Sequence, residues 1–281
     1  MVSSAYTETV LSLCNVEFGY GGQPVLSGLD MQFLRGRVTA VMGGSGCGKT
    51  TILKLLCGLV RAQRGRVLFE NVDIGALDQS GLYIQRRKMG MLFQFGALFT
   101  DLTVFENVAF PLRAHTNLSE SLLRDLVLLK LNAVGLRGAR DLLPAQISGG
   151  MARRVALARA IALDPTLILY DEPFAGLDPV SMGVIAQLIR TVNDALGATS
   201  IVVTHDVPES FAIADAVYFV ADGRILAHGT PEALRASTEP SVRQFLDAAP
   251  DGPFRFHYPG PALVDDFLSS GAHRQCVQQE K

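Results

Sequence analysis

The chain has 281 residues, a formal net charge of -2, 48% hydrophobic residues and 19% charged residues. This composition excludes an intrinsically disordered protein, and the small net charge argues against a protein whose main partner is nucleic acid. No apolar run approaches the roughly 20 residues that span a bilayer, and the N-terminus lacks a signal-peptide pattern, so we expect a cytoplasmic protein.

Short apolar runs separated by glycine turns predict strands at the start of the chain. These runs are Leu11–Val16, Val25–Leu26 and Val38–Met42, and the last reads as a buried parallel strand. A helix is predicted from Thr50 to Cys57, ended by Gly58. A buried strand therefore leads into a loop and then into a helix.

The remaining elements alternate between strands and helices. A mostly helical insert is predicted over about residues 95–160, in which Ser119 is placed to cap a leucine-rich helix that Gly135 ends. The strands are predicted at Arg66–Phe69, Met89–Phe93, Leu167–Tyr170, Ser200–Val203 and Val217–Val220. This alternation of strands and helices indicates an α/β fold built on a largely parallel sheet. Residues 9–247 are predicted to form one domain, and the proline-rich residues 248–281 an extended C-terminal tail.

A glycine-rich segment links the Val38–Met42 strand to the helix and matches the pattern G-x-x-x-x-G-K-T. In that context, backbone N–H groups converge on phosphates, Lys49 neutralises phosphate charge and the Thr50 hydroxyl ligates Mg²⁺. The alternative is a chance glycine turn. The nucleotide-binding residues predicted here are Gly43, Gly44, Ser45, Gly46, Cys47, Gly48, Lys49, Thr50 and Thr51.

Two carboxylates, Asp171 and Glu172, directly follow the Leu167–Tyr170 strand. Open α/β sheets bind ligands at the carboxyl ends of their strands, so Asp171 is a candidate for the Mg²⁺ shell. Glu172 is then the candidate to polarise an attacking water. For an isolated pair, a solvated turn would be as good an interpretation. With the glycine-rich loop, the pair predicts a nucleotide phosphohydrolase and no more, since kinases, GTPases and helicases use related parts on related sheets.

A third motif, Ser148-Gly149-Gly150, precedes a helical pattern over residues 152–163. Ser148 can cap that helix, whose N–H groups and positive dipole end attract an anion. A capped helix that binds nothing is the alternative interpretation for this motif alone.

The order of the glycine-rich loop, Gln94, Ser-Gly-Gly, Asp-Glu-Pro, Gly-Leu-Asp and His205 resembles the nucleotide-binding domain of ABC transporters over about residues 9–240. The resemblance implies a P-loop NTPase core of ABC type, with a mixed sheet, flanking helices and a helical subdomain. It also implies that Tyr20 stacks on adenine, Gln94 joins the metal shell to the helical subdomain, Asp178 lies at a dimer seam and His205 contacts the γ-phosphate. Taken singly, these four residues have ordinary structural interpretations, such as a packed aromatic or a helix cap.

Family members pair head to tail, which implies a homodimer that binds two ATP molecules with Mg²⁺. The family pattern L-S-G-G-Q reads Ile-Ser-Gly-Gly-Met here, with Met151 in place of glutamine. Residues 92–99, 148–154 and 204–209, together with the tail after Val242, resemble the ATPases of Mla (MCE-type) phospholipid-transport systems.

That second resemblance implies an ATPase on the cytoplasmic face of the inner membrane that drives phospholipid movement and so maintains outer-membrane lipid asymmetry. The implied partners are a permease, a small STAS-domain subunit and an MCE-domain lipid-binding protein. The alternatives are a transporter ATPase for another solute, a soluble ABC-type ATPase, and a regulator without turnover, against which Glu172 argues.

Two further hypotheses concern interaction surfaces. Phe95, Leu98, Phe99 and Phe105 form either an apolar groove for a permease helix or part of the packing of the insert. Residues 254–261 either lie extended on the neighbouring subunit or have no fixed structure.

Overall fold

The computed structural model describes residues 8–254, 262–265 and 267. The chain divides into two compact units, one ending at Ser237 and the other beginning at Thr238. The predicted domain boundary near residue 247 stays a prediction, and most of the predicted tail segment 254–261 lies outside the described residues. None of the helices in the described part of the chain is long and apolar enough to cross a membrane.

Strands and helices alternate along the chain in the order that the apolar runs predict. The strands are β1 (Thr9–Tyr20), β2 (Gln23–Leu34), β3 (Val38–Met42), β4 (Arg64–Phe69), β5 (Val72–Asp73), β6 (Met89–Leu92), β7 (Leu167–Asp171), β8 (Thr199–Thr204), β9 (Ala216–Ala221) and β10 (Arg224–Gly229). The helices are α1 (Lys49–Leu56), α2 (Gln79–Arg86), α3 (Val104–His115), α4 (Glu120–Ala133), α5 (Gly149–Ala160), α6 (Pro179–Leu196), α7 (Val207–Ile213), α8 (Pro231–Arg235) and α9 (Pro240–Leu246).

The strands form two sheets. The antiparallel sheet has the order β2-β1-β4-β5, and the second sheet has the order β10-β9-β3-β8-β7-β6. In the second sheet β6, β7, β8, β3 and β9 run parallel, and β10 is an antiparallel edge strand. The second sheet is therefore mixed, and helices flank it, as the family resemblance implies.

Two apolar clusters cover the faces of the parallel sheet. Along β7, Ile168 and Tyr170 belong to one cluster, whereas Leu167 and Leu169 belong to the other. Successive strand residues point to opposite faces, so this division places β7 in the middle layer. The first cluster contains the apolar faces of α3, α4, α5 and α6, and the second contains α1 and the antiparallel sheet. Coverage on both faces explains why β3 and β8 consist of buried residues throughout.

The helical insert is formed by α3, α4 and α5. Ser119 caps α4, since its Oγ accepts a hydrogen bond from the Leu122 backbone N–H at 3.4 Å, and Gly135 follows the helix with a φ of 71°. Both end signals were predicted. The first part of the predicted insert is instead non-helical: residues 93–103 form a loop between β6 and α3. This loop, called the 93–103 loop below, carries Gln94.

Candidate nucleotide-binding site

The glycine-rich loop joins β3 to α1, and close packing requires two of its glycines. A Cβ atom on Gly43 would lie 2.1 Å from the backbone oxygen of Val220. Gly48 caps α1 with a φ of 103°, and a Cβ there would lie 2.6 Å from Leu26 Cδ2. Side chains at these positions would displace β9 or β2, so glycine is needed to bring the loop against the sheet.

Lys49 is the first residue of α1 and is only 8% exposed. Its Nζ donates hydrogen bonds to the backbone oxygens of Gly43 at 2.8 Å and Gly44 at 2.9 Å. The same Nζ lies 4.0 Å from Glu172 Oε1. The ammonium group is thus fixed at the loop, and Thr50 follows it with an exposed side chain.

Asp171 ends β7, and Glu172 follows with a φ of 46°, a conformation that few residues other than glycine adopt. The Glu172 backbone N–H donates to the oxygen of Val203 at 2.8 Å, which ties the turn to β8. Burial, and then the negative charge of Glu172, raise the pKa of Asp171, while Lys49 and Lys54 act in the opposite direction. The two carboxylates therefore share one partly buried, strained turn.

His205 follows β8 and contacts the second carboxylate. Its Nδ1 lies 2.9 Å from Glu172 Oε2, and its backbone N–H donates to the same oxygen at 3.3 Å. Because β3, β8 and β7 are neighbours in the sheet, their carboxyl ends bring Lys49, Asp171, Glu172 and His205 to one edge. This is the assembly that the motifs predict, and it can hold a phosphate chain beside a general base.

The other predicted site residues lie outside this cluster and make local contacts. Tyr20 is 47% exposed at the end of β1, with its ring edge-on to Phe18 at 4.8 Å. Gln94 is exposed in the 93–103 loop. Ser148 caps α5 by accepting from the Met151 N–H at 3.3 Å, and Asp178 caps α6 by accepting from the N–H groups of Val180 and Ser181.

The Ser-Gly-Gly and Asp178 segments nevertheless lie side by side. A Cβ atom on Gly150 would approach Ser181 Oγ to 3.0 Å. The N-termini of α5 and α6 therefore form one continuous exposed surface, to which Gly149 also belongs.

Comparison with known proteins decides which family combines these features. The ABC transporter family matches residues 26–175, which include the glycine-rich loop, the Ser-Gly-Gly motif and Glu172. The chain belongs to the ABC transporter ATP-binding family. It therefore binds nucleotide and is an ATPase.

Curated relatives share much of their sequence with this ABC subunit. The intermembrane phospholipid transport system ATP-binding protein MlaF of Haemophilus influenzae is 52% identical over 93% of this chain and 99% of its own length. The protein of the same name from Escherichia coli K12 is 52% identical over 92% of this chain and 96% of its own. A probable ribonucleotide transport ATP-binding protein, mkl of Mycobacterium leprae, is 42% identical over 83% of this chain and 67% of its own.

Solved structures confirm the ABC fold. The ATP-binding cassette MJ0796, a dimer in a post-hydrolysis state with ADP and Pi, superposes with a TM-score of 0.72 at 31% identity, covering 79% of this chain and 98% of that one. The cbiO1 subunit of the Clostridium perfringens transporter cbiONQ superposes with a TM-score of 0.77 at 30% identity, covering 86% and 96%.

Sequence reasoning missed the side chains that hold the 93–103 loop of this ABC subunit. Arg153 donates to the oxygens of Phe93 at 3.2 Å and Ala175 at 3.0 Å, and Arg159 donates to those of Gly96 and Ala97 at 2.6 and 2.7 Å. The side chain of Asn107 bonds the Phe99 backbone at both its N–H and its oxygen, and also bonds the oxygens of Leu102 and Thr103. The feature of the sequence that could have indicated this role is the presence of three arginines in the otherwise apolar helical pattern over residues 152–163.

A groove of about 490 Å³ lies beside the loop, and its lining differs from the predicted one. Phe99 lines it, but Leu98 and Phe105 pack against the core cluster, and Phe95 is 82% exposed away from it. For Leu98 and Phe105 the packing interpretation is therefore the correct one. The groove's aromatic and basic side chains are Tyr83, Phe93, Phe99, Phe110, Arg86, Arg87, His115 and Arg159.

Proposed function

We propose that this chain is the ATPase subunit of a transporter that moves phospholipids between the inner and outer membranes and so maintains outer-membrane lipid asymmetry. The observation that carries this proposal is 52% identity, over almost the whole chain, to relatives named for intermembrane phospholipid transport in two organisms. Transport of another solute is the second candidate, because a more distant relative at 42% identity is named for ribonucleotide transport.

In this proposal the glycine-rich loop binds the ATP phosphates. The loop glycines turn backbone N–H groups towards the β-phosphate, and Lys49 exchanges its two loop oxygens for phosphate oxygens. Residues Gly43, Gly44, Ser45, Gly46, Cys47, Gly48, Lys49, Thr50 and Thr51 form this cradle, and Tyr20 stacks on the adenine.

The donor set at the cradle fits Mg²⁺. The Thr50 hydroxyl and the Asp171 carboxylate would supply hard oxygen ligands, and the amide oxygen of Gln94, which is exposed in the 93–103 loop outside this cluster, is the proposed further ligand. When bound there, Mg²⁺ neutralises charge that develops on the phosphates. Asp171 must be ionised to bind the metal. Burial and the charge of Glu172 raise its pKa, and a cation bound nearby would lower it again and so favour the ionised form.

Hydrolysis is assigned to Glu172, Gln94 and His205. The Glu172 carboxylate accepts a hydrogen bond from water and takes its proton as the water oxygen attacks the γ-phosphorus and ADP leaves. His205 fixes the orientation of Glu172, since both its ring nitrogen and its backbone N–H approach Oε2. Once ATP is bound, the exposed ring of His205 contacts the γ-phosphate.

The complete site requires a second copy of the chain. Ser148 and Gly149 are exposed and Gly150 is half-buried at the N-terminus of α5, where the helix dipole favours an anion, and Asp178 lies beside them. In the proposed homodimer, this surface covers ATP held by the glycine-rich loop of the other subunit. ATP binding then closes the pair, and hydrolysis reopens it.

The groove beside the 93–103 loop is the proposed docking site for the permease. Its described lining contains three arginines and a histidine but no carboxylate, around aromatic walls. An amphipathic permease helix with an acidic side chain complements this charge and shape. The subunit thereby lies peripherally on the cytoplasmic face of the inner membrane. A STAS-domain subunit and an MCE-domain lipid-binding protein complete the proposed complex.

Glu172→Gln tests the ATPase mechanism in the complex purified with its co-expressed partners. Turnover should fall about 100-fold or more, because the amide cannot take the proton, while ATP binding persists and dimers accumulate. Glu209→Gln, on the nearby helix α7, is the matched control and should keep its turnover. A Glu172→Gln variant that hydrolyses normally, or stays monomeric with ATP and its partners, would reject the mechanism.

The transport assignment has its own test. The subunit should co-purify with a permease, a STAS subunit and an MCE protein that carries phospholipid, as mass spectrometry can establish. Phe99→Glu should abolish permease binding because it places a carboxylate inside the groove, whereas Phe95→Glu, outside the groove, should not. Recovery of a permease without phospholipid would favour the other-solute candidate.

A further inference from the structure

Arg153 is a buried cation at the junction of three functional segments. It lies on α5 and is 5% exposed. Its Nη1 donates to the oxygen of Phe93, the residue before Gln94, at 3.2 Å. Its Nη2 donates to the oxygen of Ala175, between Glu172 and Asp178, at 3.0 Å. One guanidinium group thus joins the Ser-Gly-Gly helix to the loop that carries Gln94 and to the loop that follows Glu172.

The partners of Arg153 show that the charge is held for a reason other than ion pairing. Within the part of the chain that the structure describes, the Arg153 side chain donates to backbone oxygens, and it forms no ion pair with a carboxylate there. Burial lowers the pKa of Arg153. An apolar side chain would fill the same space without desolvation of a charge, but it would leave two carbonyl groups on separate loops without a donor.

The position of Arg153 along α5 relates it to the second ATP site. Ser148 caps this helix, so Arg153 lies little more than one helical turn from the Ser-Gly-Gly motif. In the proposed dimer, Ser148 contacts the ATP of the partner subunit, whereas Gln94 and Glu172 contact the ATP of their own subunit. A shift of α5 towards the partner's ATP therefore displaces both loops through the two bonds of Arg153.

We propose that Arg153 is a positioning residue that couples the two ATP sites of the dimer. The inference rests on the proposed function, because it requires the head-to-tail pair. When Ser148 contacts the ATP of the partner subunit, the two hydrogen bonds of the Arg153 guanidinium fix the positions of the Phe93 and Ala175 backbones. Gln94 and Glu172 are thereby positioned for hydrolysis. Since coupling between binding sites is reciprocal, each ATP favours the binding of the other.

Arg153→Lys is the direct test, because lysine keeps the charge but its single ammonium cannot span two loops as the planar fork does. Arg154→Lys is the matched control: Arg154 is the next residue on the helix, and its side chain donates to the oxygen of Val134, within the helical insert. Arg153→Gln is a second variant, which keeps a donor and removes the charge. The complete transporter complex is used, and ATP hydrolysis is measured against ATP concentration.

We expect the Arg153 variants to lose cooperativity in ATP hydrolysis while they keep their affinity for nucleotide. Wild type and Arg154→Lys should show sigmoidal dependence on ATP, whereas Arg153→Lys and Arg153→Gln should become hyperbolic, with a roughly tenfold lower kcat. ADP affinity, measured without hydrolysis, should not change, because the hydrogen bonds of Arg153 go to Phe93 and Ala175, outside the glycine-rich loop. A purely structural role would lower the thermal stability and leave the curve sigmoidal.

Two outcomes overturn the inference in distinguishable ways. Sigmoidal hydrolysis by both folded Arg153 variants would reject the coupling role and leave the proposed ATPase intact. Hyperbolic hydrolysis by wild type, with no dimer in the Glu172→Gln variant, would reject the dimer and with it the coupling.

Discussion

The glycine-rich loop and the 93–103 loop are both placed at the carboxyl edge of the same sheet, but they are held in opposite ways. The first is fixed by close approach: Gly43 lies against the backbone of Val220, and Lys49 bonds the loop's own oxygens. The second is fixed from outside, by side chains of Arg153, Arg159 and Asn107. A loop shaped by its own residues is rigid by itself, whereas a loop shaped by other elements moves when they move.

Gly43→Ala should break the first loop and have the largest effect. The added methyl group would overlap the Val220 oxygen at 2.1 Å, so we expect a loss of roughly 3 kcal/mol in the free energy of unfolding and loss of ATP binding. Chemical denaturation and nucleotide titration measure the two effects. Gly44→Ala is the control for stability, because a Cβ there meets nothing within 4 Å. Equal stability of both variants would contradict the packing argument.

Asn107→Leu should release the second loop from α3. Asn107 is fully buried, and its removal leaves the Phe99 N–H and three backbone oxygens without this partner, which should cost about 3 kcal/mol. Asn193 provides the comparison: it is almost as buried, its Nδ2 donates to the oxygen of Gly36, and its Oδ1 has no partner among the described residues. Asn193→Leu should therefore lose about 1 kcal/mol. Denaturation curves that rank the two variants the other way would refute the role of Asn107.

Arg159→Lys should loosen the same loop more gently. Lysine cannot bond both the Gly96 and Ala97 oxygens in the way the guanidinium does, and it loses the contact with the Phe99 ring, whose centroid is 5.8 Å away. We expect a loss of about 1 kcal/mol in thermal or chemical unfolding. Arg124→Lys, on the exposed face of α4, should leave stability unchanged. A similar loss there would show that replacing an arginine by lysine lowers the stability wherever it is made.

Cys47 should report the compactness of the glycine-rich loop with the smallest effect. Burial raises the pKa of its thiol above the ordinary value, so a smaller fraction is thiolate at neutral pH and alkylation should be slower than for a free thiol. The rate should keep rising as the pH passes the ordinary thiol pKa. Peptide mapping by mass spectrometry measures it. Bound ATP should protect Cys47 further, and a rate that ATP leaves unchanged would place the thiol outside the site.

The two loops also differ in how much of their structure could be predicted from the sequence. The glycine-rich loop, the strand before it and the helix after it were predicted because the motif contains its own geometry. The carboxylates after β7 were predicted from the parallel sheet, whose strand ends meet at one edge, whereas His205 after β8 was predicted only through the family resemblance. The order of the motifs then indicated the family that the comparisons confirm.

The rest depended on contacts between residues distant in sequence. Nothing in the local pattern shows that Arg153 reaches Phe93, 60 positions away, or that Arg159 reaches Gly96, 63 positions away. For the same reason the predicted groove was partly wrong: Leu98 and Phe105 are as apolar as Phe99, and only the packing of α3 on α5 decides which of them is buried. Periodicity identifies an apolar face but does not say which neighbour covers it.

The place of β3 in the sheet affects how the newly made chain must fold. Its two neighbours are β8 and β9, which begin at Thr199 and Ala216. During synthesis on the ribosome, this strand, which is buried throughout in the folded protein, therefore stays unpaired at both edges while more than half of the protein is still being translated, and unpaired edges favour aggregation. A chain that stops before residue 216 should consequently be a client of chaperones and proteases, not a weaker enzyme.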